Sequence, residues 1–242
     1  MVTRLTPRFV PKVWGSTHLE PWYPDSAEKI GEVWFESVPP PPLLIKFLFT
    51  TEPLSVQVHP EGKTEMWHIL AAEPGAKIAA GFREPVTETR LRESALSGEI
   101  EQLLEWFEAR PGDTFFIPAG TVHAIGAGLT LCEIQQYSDI TYRLFDYGRP
   151  RELHLDEGVR VSRLGPHAAR QSAREGVLVS CPFFTTEKIR LDGRTPVDAG
   201  RMVVVLGGNV TIGGQKTRAG EAWRTDDGSV ELEGRGTVLL VS

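Results

Sequence analysis

The sequence predicts a mainly β protein, closed or sandwiched, made of two β modules with a short helical insertion around residues 87–108. Three observations lead there. Gly (24) and Pro (18) are frequent among the 242 residues, which favours short strands joined by turns over long helices. Strand-like runs recur at regular spacing near the end, at 202–206, 209–212, 221–224, 229–232 and 237–241, divided by Gly-bearing turns such as Gly207-Gly208 and Gly213-Gly214. Between Thr87 and Phe107 the apolar period lengthens to that of a helix.

Each element has a local reason. Residues 1–82 read as short strands and loops, and the proline run at 39–42 cannot sit inside a sheet. Thr87 is a helix N-cap ahead of Leu91, Ala95 and Leu96. After Gly98 a second amphipathic stretch carries Ile100, Leu103, Leu104 and Phe107, giving two short helices. Strands resume at 114–117 and 129–135, and a helix is expected near 153–161. The Ala-, Arg- and Ser-rich stretch at 165–175 reads as a connector, dividing a first module, 1–164, from a second, 165–242, that opens with strands at 177–180 and 183–189.

Composition narrows the function. A net charge of −6 provides no basic stripe for a phosphate backbone, so the expected partner is a small molecule and not nucleic acid. Hydrophobic (40%) and charged (24%) residues are in ordinary globular proportion, which excludes a disordered chain. No apolar run is long enough to span a bilayer and the first 15 residues lack the apolar segment of a secretory signal, so no membrane partner is expected. Cys132 and Cys181 are too few for a disulfide framework and imply a reducing cytoplasm.

The chemistry-bearing residues fall in three segments. In the strand 54–59, alternation puts Ser55, Gln57 and His59 on one face and Val56 and Val58 on the other. A turn through Glu61, Gly62 and Lys63 then brings Glu65 back to face His59 across a hairpin, while His68 points away. Gly112, Pro118 and Gly120 shape a turn that presents His123. Two histidines, a glutamate and a nearby Gln57 make a mixed N/O set suited to Zn²⁺, one per chain, and compatible with Fe²⁺ or Mn²⁺. The bland alternative is two half-buried histidines and a surface carboxylate.

These residues resemble the cupin family. The run from Gly112 through Pro118 and Gly120 to His123 is similar to the second cupin motif, and 57–65 to a variant of the first with Gln57 in place of the usual histidine. Thr51, Ala127 and a longer gap from His59 to Glu65 depart from the general pattern. Within the cupins the chain more closely resembles class I mannose-6-phosphate isomerases. That likeness is carried by Trp14-Gly15, Gly31-Glu32 with Trp34 and Ser37, Leu44-Ile45-Lys46, the stretch 54–60, Gly62 to Glu65, 120–126, and Glu133 to Gln136 with Ser138-Asp139, Thr141 to Arg143 and Asp146-Tyr147. It covers most of residues 8–162 and then fades.

The resemblance implies a bicupin of two β-barrel or jelly-roll modules, zinc ligands at Gln57, His59, Glu65 and His123, and a catalytic Arg143. It further implies interconversion of mannose 6-phosphate and fructose 6-phosphate through a cis-enediolate; the chain itself is expected as a monomer or homodimer. Such chemistry needs an electrophile for developing negative charge and a base to move a proton between two carbons. Lys63 is the expected shuttle or oxyanion contact, with Glu133 the carboxylate alternative. Arg143 is a planar cation for an enediolate or phosphate oxygen, unless it merely pairs with Asp139 or Asp146. Ser55, Lys63, Asp139 and Arg143 are the expected substrate contacts, Asp139 chiefly by orienting Arg143. Trp14, Trp34, Trp67, Trp106 and Tyr142 are expected mostly in the core, and His18, His154 and His167 at the surface or capping a helix. The second module has no histidine beyond His167 and forms no histidine metal site. The insert before Gly62-Lys63 is reduced to Glu61, which keeps open a silent sugar-binding cupin; an Fe²⁺ dioxygenase is the third reading.

Overall fold

The computed structural model of the chain describes residues 1–242. The first strands are β1 (Val2–Arg4), β2 (Thr6–Ser16), β3 (Ile30–Glu36), β4 (Leu43–Thr50), β5 (Val56–Val58), β6 (Glu65–Ala72) and β7 (Lys77–Phe82). Helices α1 (Glu88–Ser97) and α2 (Ile100–Leu103) follow, then β8 (Leu104–Glu108), β9 (Thr114–Ile117), β10 (His123–Ile125), β11 (Leu129–Gln136), β12 (Tyr142–Phe145) and α3 (Leu155–Val161). The chain continues through β13 (Arg170–Gln171), β14 (Gly176–Ser180), β15 (Thr185–Val197), β16 (Met202–Ile212), β17 (Gln215–Lys216), β18 (Glu221–Thr225) and β19 (Val230–Val241). A mainly β, cupin-like fold with few helices is therefore what the sequence builds.

The strands form three antiparallel sheets, stacked in layers. A five-stranded sheet, β12-β5-β10-β7-β8, faces a seven-stranded one, β13-β9-β6-β11-β4-β3-β2. Trp14, Leu48, Trp67, Ile69, Ile78, Phe115, Ile125 and Leu131 fill the space between them. The third sheet, β1-β18-β16-β19-β15-β14 with β17 beside β16, covers the outer face of the seven-stranded sheet. Phe35, Ile45, Phe47, Phe49, Met66 and Ile134 there meet Leu178, Met202, Val204, Leu239 and Val241 in one cluster of 20 buried residues.

This sandwiching explains β4. Its eight residues are all buried, because Ile45, Phe47 and Phe49 face the third sheet while Leu44, Lys46 and Leu48 face the five-stranded one. Sheet pairing also crosses residues 164 and 165 in both directions. β13 pairs with β9 of the first half, and β1 pairs with β18 of the second, Val2 opposite Thr225.

Two local expectations are corrected. The second helix is a single turn, and Leu104–Glu108 is a strand paired to β7, Lys77 opposite Glu108 and Ala79 opposite Trp106. The spacing of Ile100, Leu103, Leu104 and Phe107 fits a helix, but β7 offers an open edge to the β-favouring Trp106 and Phe107. Thr87 caps α1 as expected, its hydroxyl accepting from the Arg90 N–H, and Gly98 ends it in the left-handed conformation. Secondly, β5 and β6 are not a hairpin. β5 pairs with β10 and β12 in one sheet, and β6 with β9 and β11 in the other. Pro60 ends β5, and the loop through Gly62, at φ +88, carries the chain across the sandwich.

Candidate metal centre

The loop crossing brings Gln57, His59, Glu65 and His123 together between the two facing sheets, with Arg143 beside them. In the five-stranded sheet, Arg143, Gln57 and His123 occupy one cross-strand row, Arg143 opposite Gln57 and Gln57 opposite His123. Residues in such a row share a face and lie within side-chain reach. Gln57 Nε2 is 3.2 Å from His123 Nε2. Glu65 approaches from the opposing sheet, with Oε2 at 3.3 Å from His59 Nε2 and Oε1 at 3.7 Å from His123 Nε2. Ligand atoms of His59, Glu65 and His123 all lie within 4.8 Å of one another.

The hydrogen bonds around this cluster fix its protonation. His59 Nδ1 is 3.0 Å from the Ile140 carbonyl oxygen, and His123 Nδ1 is 2.9 Å from that of Thr121. A carbonyl only accepts, so both Nδ1 atoms carry the hydrogen and both Nε2 atoms turn a lone pair inward. Burial depresses both imidazoles, His59 to about 3, which keeps them neutral. Glu65, 1% exposed, has no hydrogen-bond donor to either carboxylate oxygen. Three sets of lone pairs thus converge in a dry interior, an arrangement that repels itself unless a cation sits among them. The residues fit a divalent metal, with Gln57 as the fourth group. Turning its amide over presents the oxygen inward and leaves Nε2 to donate to Ser55 Oγ, now 3.1 Å from Oε1.

Above the cluster is a cleft of about 270 Å³, lined by Ser55, Gln57, His59, Lys63, Glu133, Asp139 and Arg143. All the site residues expected from sequence therefore meet here except Glu65 and His123, which are buried beside His59. Lys63 is buried, donates to Thr141 Oγ1 at 3.2 Å, and has its pKa lowered by burial and by nearby Lys46. Arg143 has a buried Nε without a partner and no ion pair. Asp146, one carboxylate expected to neutralise it, is taken by Arg149 at 3.0 Å and Arg151 at 2.5 Å. Asp139 is exposed and forms no ion pair with Arg143, so the expectation that it orients the arginine is not met.

The same cleft also holds Lys46, which the sequence motifs include without a role, and Lys12 and Arg151, which no motif includes. Lys46 Nζ donates to Glu133 Oε1 at 2.8 Å and Gln135 Oε1 at 2.6 Å, 4.7 Å above the Trp34 ring. Burial alone would depress its pKa, but Glu133 and Glu32 outweigh that and hold it charged. Lys12, paired with Glu32 at 3.0 Å, and Arg151 extend the cationic lining. A lysine inside the otherwise apolar run of β4 was the available signal, since a buried ammonium needs a specific partner. Trp14 and Trp67 are core, whereas Trp34, Trp106 and Tyr142 are half-buried. His18 is exposed, and His167 bonds the Phe116 carbonyl. His68 points away from the centre, bonded to Thr114 Oγ1 at 2.9 Å.

Comparison with known proteins follows the same lines. The chain is 36% identical over 201 residues to the mannose-6-phosphate isomerase of Streptococcus mutans, covering 71% of this chain and 63% of that protein. It is 36% identical over 178 residues to ManA of Bacillus subtilis, covering 63% and 56%. It thus spans less than two thirds of the length of these relatives. With YvyI of B. subtilis, a putative mannose-6-phosphate isomerase, it is 32% identical over 252 aligned positions, covering 78% of this chain and 79% of the relative. The crystal structure of a B. subtilis mannose 6-phosphate isomerase superposes with a TM-score of 0.85 at 26% identity, over 99% of this chain and 98% of the other. A putative mannosephosphate isomerase from Archaeoglobus fulgidus shares the fold at TM-score 0.82 and 18% identity, over 99% and 96%. No family-level sequence profile matches the chain.

Proposed function

Because the chain belongs to the mannose-6-phosphate isomerase family, we propose that its cleft interconverts mannose 6-phosphate and fructose 6-phosphate around a divalent cation held by Gln57, His59, Glu65 and His123. The observation that carries this reading is the Glu65 carboxylate, buried between two imidazole lone pairs with no donor of its own. We assign Zn²⁺, which suits a mixed nitrogen and oxygen set. When bound, the ion supplies Lewis-acid polarisation of the sugar oxygens as negative charge develops on them.

The remaining work belongs to side chains of the cleft. Arg143, unpaired, offers a permanent planar charge to an enediolate or phosphate oxygen. Lys63, buried and without a carboxylate partner, moves the proton between C1 and C2 through a cis-enediolate. Glu133, bonded by Lys46 and by Trp67 Nε1 at 3.1 Å, is the carboxylate alternative for that step. Ser55 and Asp139 line the path of the sugar. Residues 165–242, which carry no histidine beyond His167, serve as the structural module, and the unpaired thiols of Cys132 and Cys181 suit a cytoplasmic setting.

The test is turnover of mannose 6-phosphate, read by coupled detection of fructose 6-phosphate, before chelation, after it, and after Zn²⁺ is restored. Activity lost and regained supports the reading. A folded, zinc-loaded sample that turns over no mannose 6-phosphate overturns it.

A further inference from the structure

The geometry points to His154 as a positioning residue that holds Arg143 in the cleft. The inference rests on the role proposed for Arg143, and its basis lies at the open edge of the five-stranded sheet. β12 is the edge strand there, paired only with β5. Arg143 stands opposite Gln57, yet its own backbone N–H and C=O both turn the other way. The His154 N–H donates to the Arg143 carbonyl oxygen at 2.8 Å, and the Arg143 N–H donates to His154 Nδ1 at 3.2 Å.

Those two bonds copy the exchange between facing residues of adjacent strands, with an imidazole nitrogen in place of the missing carbonyl. The Arg143–Gln57 pair is then the non-bonded kind, in which side chains on one face stand closest. His154 therefore closes the edge at the residue where the strand must hold a guanidinium beside a metal-facing amide. The next register step in β12 is irregular, between Arg143 and Phe145, so the ladder to β5 alone does not fix this position.

The histidine is spared its customary local duty. It is the N-cap residue of α3, but its side chain makes no bond to that helix. Its ring packs beside Tyr142, at 6.0 Å between centroids, and its backbone accepts from the Gly158 N–H as α3 begins. α3 in turn packs on β12, with Val159 and Leu144 in one cluster. A short helix packed on β12 thus follows the residue whose nitrogen fixes Arg143. Accepting at Nδ1 places the His154 hydrogen on Nε2, the reverse of the tautomer at His59 and His123.

Three substitutions separate this role from helix capping. Asn places an oxygen where Nδ1 stands and keeps the clasp; Ser can cap α3 but is too short to reach Arg143; Ala does neither. In the zinc-loaded chain, kcat on mannose 6-phosphate is expected to fall about tenfold in His154→Ala and His154→Ser and to stay within about threefold in His154→Asn, since small displacements of a catalytic cation are costly. In an Arg143→Ala background, His154→Ala is expected to add no further loss, because it acts through the arginine. Amide hydrogen exchange at Arg143, which needs no turnover, is expected to quicken in the Ala and Ser variants and to hold in the Asn variant. Unchanged exchange in His154→Ala, native kcat in that variant, or an undiminished second loss in the Arg143→Ala background overturns the inference. If the unsubstituted chain fails to isomerise, the exchange rates still decide the clasp, and what has fallen is the parent reading.

Discussion

Lys46 and Glu133 face each other directly across the β4–β11 ladder, and the register that pairs their Cα atoms also brings Nζ to 2.8 Å from Oε1 on the buried wall of the cleft. The same row runs outward to Trp34, beneath the ammonium, and inward to Trp67, whose indole N–H bonds the other carboxylate oxygen. Every polar atom of the pair is thereby satisfied.

Removing one member alone leaves a buried charge. Lys46→Met is expected to lower stability by about 3–5 kcal/mol, and adding Glu133→Gln to recover much of that. Lys63→Met, by contrast, removes a lysine with no ion pair and is expected to cost turnover while the melting temperature holds. Thermal melts of the three variants check the ordering. Equal destabilisation by Lys46→Met and Lys63→Met would contradict it.

The convergence of lone pairs on Glu65 predicts opposite signs with and without metal. After chelation, Glu65→Gln is expected to be more stable than the unsubstituted chain, by about 1–3 kcal/mol, because an amide N–H can donate to an imidazole nitrogen. On adding Zn²⁺ the order reverses, since only the carboxylate chain gains a full ligand set and the stabilisation that binding brings. Melting curves in chelator and in Zn²⁺ measure both. A chelated Glu65→Gln less stable than its parent would sink the account.

His68 lies outside the metal cluster, and burial, aided by Lys188 and Arg174, depresses its pKa from 6.5 to about 3. Its pKa is lower folded than unfolded, so between pH 6.5 and about 3 the unfolded chain takes up a proton that the native one refuses. Stability attributable to His68 is thus present above pH 6.5 and falls on acidification through that window, by up to about 1.4 kcal/mol per pH unit. His68→Asn, which keeps an acceptor for Thr114, is expected to flatten the slope of urea stability against pH. Parallel slopes in the two proteins would refute this.

Phe47 is fully buried in the cluster joining the seven-stranded sheet to the C-terminal sheet. Phe47→Ala is expected to cost about 3–5 kcal/mol and to shift a single unfolding transition. Calorimetry showing two transitions, only one of them shifted, would mean that the layers melt independently.

Much of the site was legible because it is periodic. Alternation in 54–59 placed Ser55, Gln57 and His59 on one face, and the turn at Gly120 announced His123. The route by which Glu65 meets His59 was not legible, because a tight turn and a crossing between sheets read alike over residues 60–64. The partnership of Lys46 with Glu133 spans 87 positions and depends on register, which no local pattern encodes. Likewise 104–108 reads as helix until the free edge of β7 is present to claim it. In sequence His154 reads as a capping or surface residue, and it does stand at the N-cap of α3; what it holds lies 11 positions upstream.

The pairing of β1 with β18 bears on how the chain assembles. Thr3 Oγ1 donates to Asp226 at 2.6 Å, and Leu5 N–H to the Ala222 carbonyl, so the opening residues complete a sheet whose other strands all follow residue 175. Closing so long a loop is entropically affordable, since each doubling of length adds only about 0.6 kcal/mol, but it raises the contact order and so slows the search. During synthesis residues 2–4 must wait unpaired until residues 223–225 emerge. A stalled or truncated chain would then carry two exposed edges, the waiting strand and whatever part of its sheet had formed. β1 and β18 thus form a seam that joins residues 223 positions apart.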